Sequence, residues 1–187
     1  MIYYDKISIG EVGMFDKFVP DKYFKSIYDI NYEALKKSGI TCLIFDQKNT
    51  LEPESVKKPS VRVKDLFEDL KAMGFKLLIV SNARKKDVEP FKESLCVDSA
   101  YFACKPLKRK FKKILNIYEL RQDQVAVIGD EMLFDILGAN RMGLTSILVN
   151  PISLDEFVAT KLGRKMENRI IRRLTKKELF KKGRYYE

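Results

Sequence analysis

Histidine is absent from all 187 residues, and its absence removes several kinds of chemistry together. No Ser-His-Asp triad, no HExxH zinc site and no phosphohistidine intermediate can be built from this chain. Any catalysis must run on carboxylates, lysine, hydroxyls or thiols. Cysteine is scarce: Cys42, Cys96 and Cys104 are odd in number and lack the short paired spacing of zinc ligands, so neither a disulfide framework nor a structural metal is expected, only packed thiols. No stretch approaches the ~18 uninterrupted apolar residues of a membrane span, and the opening MIYYDKISIGEVG lacks the basic-then-apolar order of a signal peptide. A cytoplasmic location is therefore expected. Internal repeats and low-complexity segments are missing as well.

What is present reads as one soluble globular domain, with 45% hydrophobic and 33% charged residues. The net charge of +10 is unevenly placed: Lys161 to Glu187 carry 11 Lys and Arg against 3 Asp and Glu, a local +8. In RKMENRIIRRL, Met166, Ile170, Ile171 and Leu174 form one apolar stripe, with Arg164, Lys165, Arg169, Arg172 and Arg173 around it. Such a tail suits an anionic surface, phospholipid headgroups ahead of RNA, and peripheral contact with an anionic membrane is one expectation. A solvated basic helix, or a lid on the domain, is the alternative.

The N-terminal segment MFDKFVPDKYFKSIYDI alternates aromatic and basic residues at loosely helical spacing. Asn31 predicts a helix N-cap and Gly39 a stop. Strand and helix then alternate: an apolar strand from Ile40 to Phe45, a helix from Val61 to Met73, a strand from Lys76 to Val80, and a helix from Lys85 to Leu95 that contains an awkward Pro90. A short strand around Tyr101 and Phe102, a basic helix from Leu107 to Tyr118, a strand from Val125 to Ile128, a helix from Met132 to Met142 and a strand from Thr145 to Val149 complete the series. This rhythm predicts a three-layer, doubly wound α/β fold with a parallel sheet. The expected organisation is an N-terminal segment over 1–39, an α/β core over 40–150 and a basic helical tail over 151–187.

Ligands of such sheets bind at the carboxyl ends of the strands, so the residues leaving the strands matter most. They are Asp46 in LIFDQKNTLEP, Ser81 and Asn82 in IVSNA, Lys105 shortly after the third strand, and Asp130 in VAVIGDEMLFD. A carboxylate, a hydroxyl, a lysine and a second carboxylate pair emerge in that order from one predicted edge.

With these residues in place the chain resembles the haloacid dehalogenase (HAD) superfamily. More narrowly, FVPDKYFKSIYDI, IVSNA, CKPLKRKF and GDEMLFDILGANRMGLTSILV resemble its subfamily IIIA, YqeG-like phosphatases, relatives of the phosphatidylglycerophosphate phosphatases. The resemblance implies a HAD-like Rossmannoid core and phosphate-monoester hydrolysis through an aspartyl-phosphate. It implies Asp46 as nucleophile, Thr50 closing the first motif, Ser81, Asn82 and Lys105 on phosphate, and Asp46, Asp130 and Asp135 on Mg²⁺. With only about fifteen residues between Asp46 and the next helix there is no room for a large cap domain, so an open site and a phosphate presented on a large object, phosphatidylglycerophosphate among them, are expected.

One residue departs from the pattern. Where the family carries a second aspartate that protonates the leaving oxygen and then activates water, this chain has Lys48. A lysine is a charged donor that can serve as the acid but not readily as the base. Two readings follow: a pseudophosphatase that keeps the phosphate cradle and serves as a binding protein, or a phosphatase of impaired turnover whose Lys48 points outward or pairs with a carboxylate. A third, with Asp46 as no more than a strand-ending turn residue, leaves the remaining motif matches unexplained.

Overall fold

The computed structural model describes residues 15–153 and 161–187, with only the backbone described for Lys161, Leu162 and Arg164. Among these, six strands form one parallel sheet in the order β1-β6-β5-β2-β3-β4: β1 (Lys22–Phe24), β2 (Cys42–Phe45), β3 (Lys76–Val80), β4 (Asp98–Ala100), β5 (Val125–Gly129) and β6 (Thr145–Val149). The helices are α1 (Tyr32–Lys37), α2 (Val61–Ala72), α3 (Lys85–Leu95), α4 (Lys108–Ile117), α5 (Leu137–Met142) and α6 (Lys161–Lys176).

The two-residue period of the strands sorts the core into layers. Leu43, Phe45, Leu77, Ile79, Ala126 and Ile128 face one way, onto Leu35 of α1, Val63, Phe67 and Leu70 of α2, and Val88, Phe91 and Leu95 of α3. Cys42, Ile44, Leu78, Val80, Val125 and Val127 face the other way, onto Phe111, Ile114 and Leu115 of α4 and Ala139 and Met142 of α5. Because both faces are covered, the central strands are apolar at every position rather than alternating, as their sequence suggested. Local signals set the helix ends: Asn31 Oδ1 accepts from Ala34 N at 3.0 Å ahead of α1, and Ser60 Oγ from Val63 N at 3.4 Å ahead of α2.

Three elements differ from their expected form. The aromatic N-terminal segment is not helical: it makes a short 3₁₀ turn, Asp16–Phe18, then β1, which pairs in parallel with β6 through Lys22↔Ile147, Tyr23↔Leu148 and Phe24↔Val149. Adjacent Tyr23 and Phe24 thereby enter opposite faces of the sheet, so tertiary pairing overrides a weak local period. The fourth strand lies at Asp98–Ala100, just before Tyr101 and Phe102. The helix expected from Met132 begins as a π-helical turn, Met132–Ile136, before α5.

The flanking segments contribute to the core, as in the reading of the tail as a lid on the domain. Tyr23, Met132, Ile136, Leu148, Ile170, Leu174 and Phe180 form a third apolar cluster. The last residues run antiparallel beside the edge strand: Tyr23 N donates to Tyr186 O at 2.8 Å and Tyr186 N to Tyr23 O at 2.9 Å. Half of the apolar stripe of α6 is thus used inside the molecule. Lys165, Arg169, Arg172 and Arg173 remain exposed.

Candidate active site

The parallel register brings the strand ends level. Phe45 lies opposite Ile79 on β3 and Ile128 on β5, so Asp46, Ser81 and Asp130 leave the sheet at one edge. Asp46 N is tied to Ile128 O at 2.9 Å. These residues line a cavity of about 370 Å³ together with Lys105, Lys48, Asn82 and Glu54.

Lys105 is the hub. Its Nζ donates to Asp46 and, at 2.5 Å, to Asp135 Oδ1, with all three side chains buried. Burial alone would lower its pKa, but Asp135 and Asp46 outweigh that and hold it above its ordinary value. Asp135 reaches the site because the π-helical turn directs its carboxyl under the end of β5. A Cβ at Gly129 would stand 2.3 Å from that carboxyl, so glycine is required there for the close approach. Asp135 Oδ2 also accepts from Glu131 N at 3.2 Å.

The remaining expected site residues divide by task. Thr50 Oγ1 donates to Asp130 Oδ1 at 2.7 Å, so it orients the second carboxylate. Asn82 has its amide committed to the backbone of Lys105, Oδ1 accepting from Lys105 N at 2.7 Å and Nδ2 donating to Lys105 O at 3.3 Å; it positions the lysine. Ser81, buried against the cavity, accepts from Ala83 N at 3.2 Å.

Negative charge is in excess. Burial, then Asp46 and Asp135, push the Asp130 carboxyl well above the usual range. Burial, then Asp135 and Asp130, push Glu131 up to about 9. Asp135 is raised to about 6, burial outweighing the opposing effect of Lys105. A divalent cation is what such a cluster would accommodate. One oxygen from each of Asp46, Asp130 and Asp135 lies within 4.8 Å of the others, and an all-oxygen donor set suits a hard ion. The two oxygens of Asp135 already meet Lys105 and Glu131 N, which leaves Asp46 and Asp130 the better placed to ligate.

Lys48 is paired. Its Nζ lies 2.5 Å from Glu54 Oε1, with the two side chains 36% and 23% exposed. Its charge is therefore balanced beside the acidic cluster, as in the reading in which it finds a carboxylate partner. Sequence reasoning missed Glu54, since no periodicity links residues 48 and 54 across an irregular loop. It missed Glu131, although that residue adjoins Asp130. It missed Glu167 of α6, whose Oε1 accepts from Met132 N at 2.7 Å and closes the π-helical turn. The open site also gains a wall: Asn168, Ile171, Phe180 and Lys182 of the C-terminal segment line the same cavity as Asp46.

A parallel sheet with an aspartate, a hydroxyl, a lysine and a carboxylate pair at its strand ends defines a haloacid dehalogenase-like hydrolase. The model of that family matches residues 3–143, and the chain belongs to it. It is 36% identical over 160 residues to the probable phosphatase YqeG of Bacillus subtilis (strain 168), covering 86% of this chain and 93% of that protein. In fold it is similar to the cobalt-bound deoxy-D-mannose-octulosonate 8-phosphate phosphatase YrbI of Haemophilus influenzae, with a TM-score of 0.51 and 15% identity over 78% of this chain and 95% of that one. Among the described residues no helix is long and apolar enough to cross a membrane.

Proposed function

We propose that this YqeG-like HAD protein hydrolyses phosphate monoesters through an aspartyl-phosphate on Asp46, and that its substrate is phosphatidylglycerophosphate met at the cytoplasmic face of an anionic membrane. The observation that carries the reading is the convergence of Asp46, Ser81, Lys105 and Asp130 on one cavity at the carboxyl edge of the sheet. Asp46 is the nucleophile. Ser81 Oγ and Lys105 Nζ hold the oxygens of the transferring group, with Asn82 and Asp135 fixing the lysine. Asp46 and Asp130, with Asp135 behind them, would hold Mg²⁺, which when bound neutralises charge on the phosphoryl group.

Two features support the lipid substrate. A cavity of about 370 Å³ has room for a headgroup rather than two acyl chains. Phe102 and Leu107, 53% and 54% exposed, flank Lys105 in the chain and are followed by exposed Lys108, Arg109, Lys112 and Lys113. An exposed apolar and basic stretch of this kind suits an interfacial contact. Lys48 removes the carboxylate that the resemblance places at the acid/base position, which impairs hydrolysis unless another group supplies the base. That loss favours a second reading, a pseudophosphatase that binds phosphate, membrane or RNA without turnover.

Orthophosphate release from phosphatidylglycerophosphate vesicles and from an aryl phosphate, with Mg²⁺ and with chelator, separates the two. Mg²⁺-dependent release by the wild type and none by D46N is the expected result, because an amide forms no acyl phosphate. Vesicle or RNA binding without release, and without phosphate on Asp46, would establish the binding protein instead.

A further inference from the structure

We propose that Glu54 and Lys48 together replace the single acid/base carboxylate of this site, Glu54 as the base and Lys48 as the acid. The inference rests on the phosphatase reading above. Glu54 is the carboxylate that the loop after β2 brings into the cavity of Asp46, bonded through Oε1 to Lys48 Nζ at 2.5 Å. Its place is built. Leu51, 1% exposed, anchors the loop in the core, Leu51 N donates to Gln47 O at 3.0 Å and Asn49 N to Glu52 O at 2.7 Å, and Glu52 Oε1 accepts from Ser60 N at 2.8 Å, tying the loop to the start of α2. Val56 N turns back onto Pro53 O at 3.0 Å around Glu54 itself. A surface ion pair would need none of this support, and neither side chain of this one is fully exposed.

The pair completes a balanced cycle. In the first step a bond forms between Asp46 Oδ and phosphorus, the ester P–O bond breaks, and the departing oxygen takes a proton from the Lys48 ammonium. In the second, water forms a new P–O bond, the Asp46–phosphorus bond breaks, and the proton of the water goes to Glu54. Transfer of that proton from Glu54 to Lys48 along their hydrogen bond restores both groups. The sum is one ester and one water giving one alcohol and one phosphate. Each of the two side chains thus carries one half of the proton transfer.

The test follows burst and steady-state kinetics, with Mg²⁺, of the wild type, E54Q, E54D and K48M on p-nitrophenyl phosphate and on phosphatidylglycerophosphate vesicles, with acid-quench measurement of phosphate retained on Asp46. E54Q is expected to keep a burst of about one equivalent while its steady state falls by a factor on the order of 10²–10⁴, the usual contribution of a positioned proton-transfer group. Phosphoenzyme accumulates, equally from both substrates, because the second step no longer depends on the leaving group. E54D restores part of the loss. K48M slows the burst, and more so for the lipid alkoxide than for nitrophenolate, which departs without a proton. A wild-type steady state in E54Q, or equal loss of its burst and steady state with a lowered melting temperature, overturns the dyad while leaving the phosphatase reading standing. A wild type with neither turnover nor phosphate on Asp46 overturns both.

Discussion

A single lysine sets the electrostatics of the site. Lys105, buried between Asp46 and Asp135, bridges two carboxylates that would otherwise repel, and Asn82 fixes its backbone through both N and O. Lys48 and Glu54 repeat the arrangement nearer the solvent. A suppressor experiment follows at this scale. With Glu54 as the base, E54Q loses turnover, and adding K48D returns one carboxylate to the position the family resemblance assigns to it. The double variant K48D/E54Q is expected to recover most of the deficit of E54Q, a rise on the order of 10²-fold or more in steady-state release, whereas K48D alone sets two carboxylates side by side and gains less. Equal rates for E54Q and the double variant would show that position 48 has no access to the reaction. Lys48 stood out as a departure from the motif that the family resemblance supplies; its partner did not, because Glu54 meets it through the path of a loop rather than through any repeat in sequence.

Among the elements, the edge strand β4 shows how a short strand is held. Asp98 accepts from Lys76 Nζ of β3 at 2.7 Å and from Tyr118 OH, just beyond α4, at 2.6 Å, and the Lys76 ammonium also lies 4.3 Å from the Tyr118 ring centre. The bond from Lys76, then that from Tyr118, hold the Asp98 carboxyl below 3.8. A carboxyl depressed in the folded state stabilises the protein above its unfolded value, and the contribution is lost as pH falls through the lower, folded value. D98N is therefore expected to melt below the wild type at pH 7, and the difference to close progressively as pH drops below 3.8. A gap unchanged in acid would assign the effect to shape rather than charge. The pair is half-exposed, so its contribution to stability is small. The sequence reading put this strand around Tyr101 and Phe102; the register Leu78↔Asp98 to Val80↔Ala100 shows that pairing with β3 sets it just before them.

At the scale of the whole molecule, β1 and the C-terminal segment are brought together beside the site. The C-terminal segment covers β1, seals the third cluster with Phe180 and supplies one side of the cavity. Tyr23 sits at the meeting point: its ring packs 5.2 Å from Phe180 and 4.8 Å from Tyr185, and its hydroxyl donates to Asn150 Oδ1 at 2.5 Å. Phe180 is 3% exposed, so F180A is expected to cost about 3 kcal/mol in urea denaturation, the scale of emptying a buried aromatic site, and to lower affinity for substrate through the loosened wall. A loss below about 0.5 kcal/mol, the range of ordinary surface changes, would mean that the segment adds nothing to the core. For the same reason, removing the tail from position 163 onward would expose Tyr23, Met132 and Leu148 and is not expected to leave a stable domain, contrary to what the concentration of positive charge there suggests.

The sequence alone determined the layered α/β architecture and the order of the strand-end residues Asp46, Ser81, Lys105 and Asp130, because each is written in a local pattern: apolar runs of strand length, 3.6-residue helical stripes, and polar residues where those runs stop. Tertiary structure decided the rest. It chose β1 over a helix, made part of the basic tail a wall of the site, and gave Lys48 a carboxylate to hold. Those outcomes depend on contacts such as Tyr186 OH with Pro20 O, 166 residues apart, and Lys105 with Asp46, 59 apart. Such pairs depend on where the sheet places its strand ends, and no local period records them.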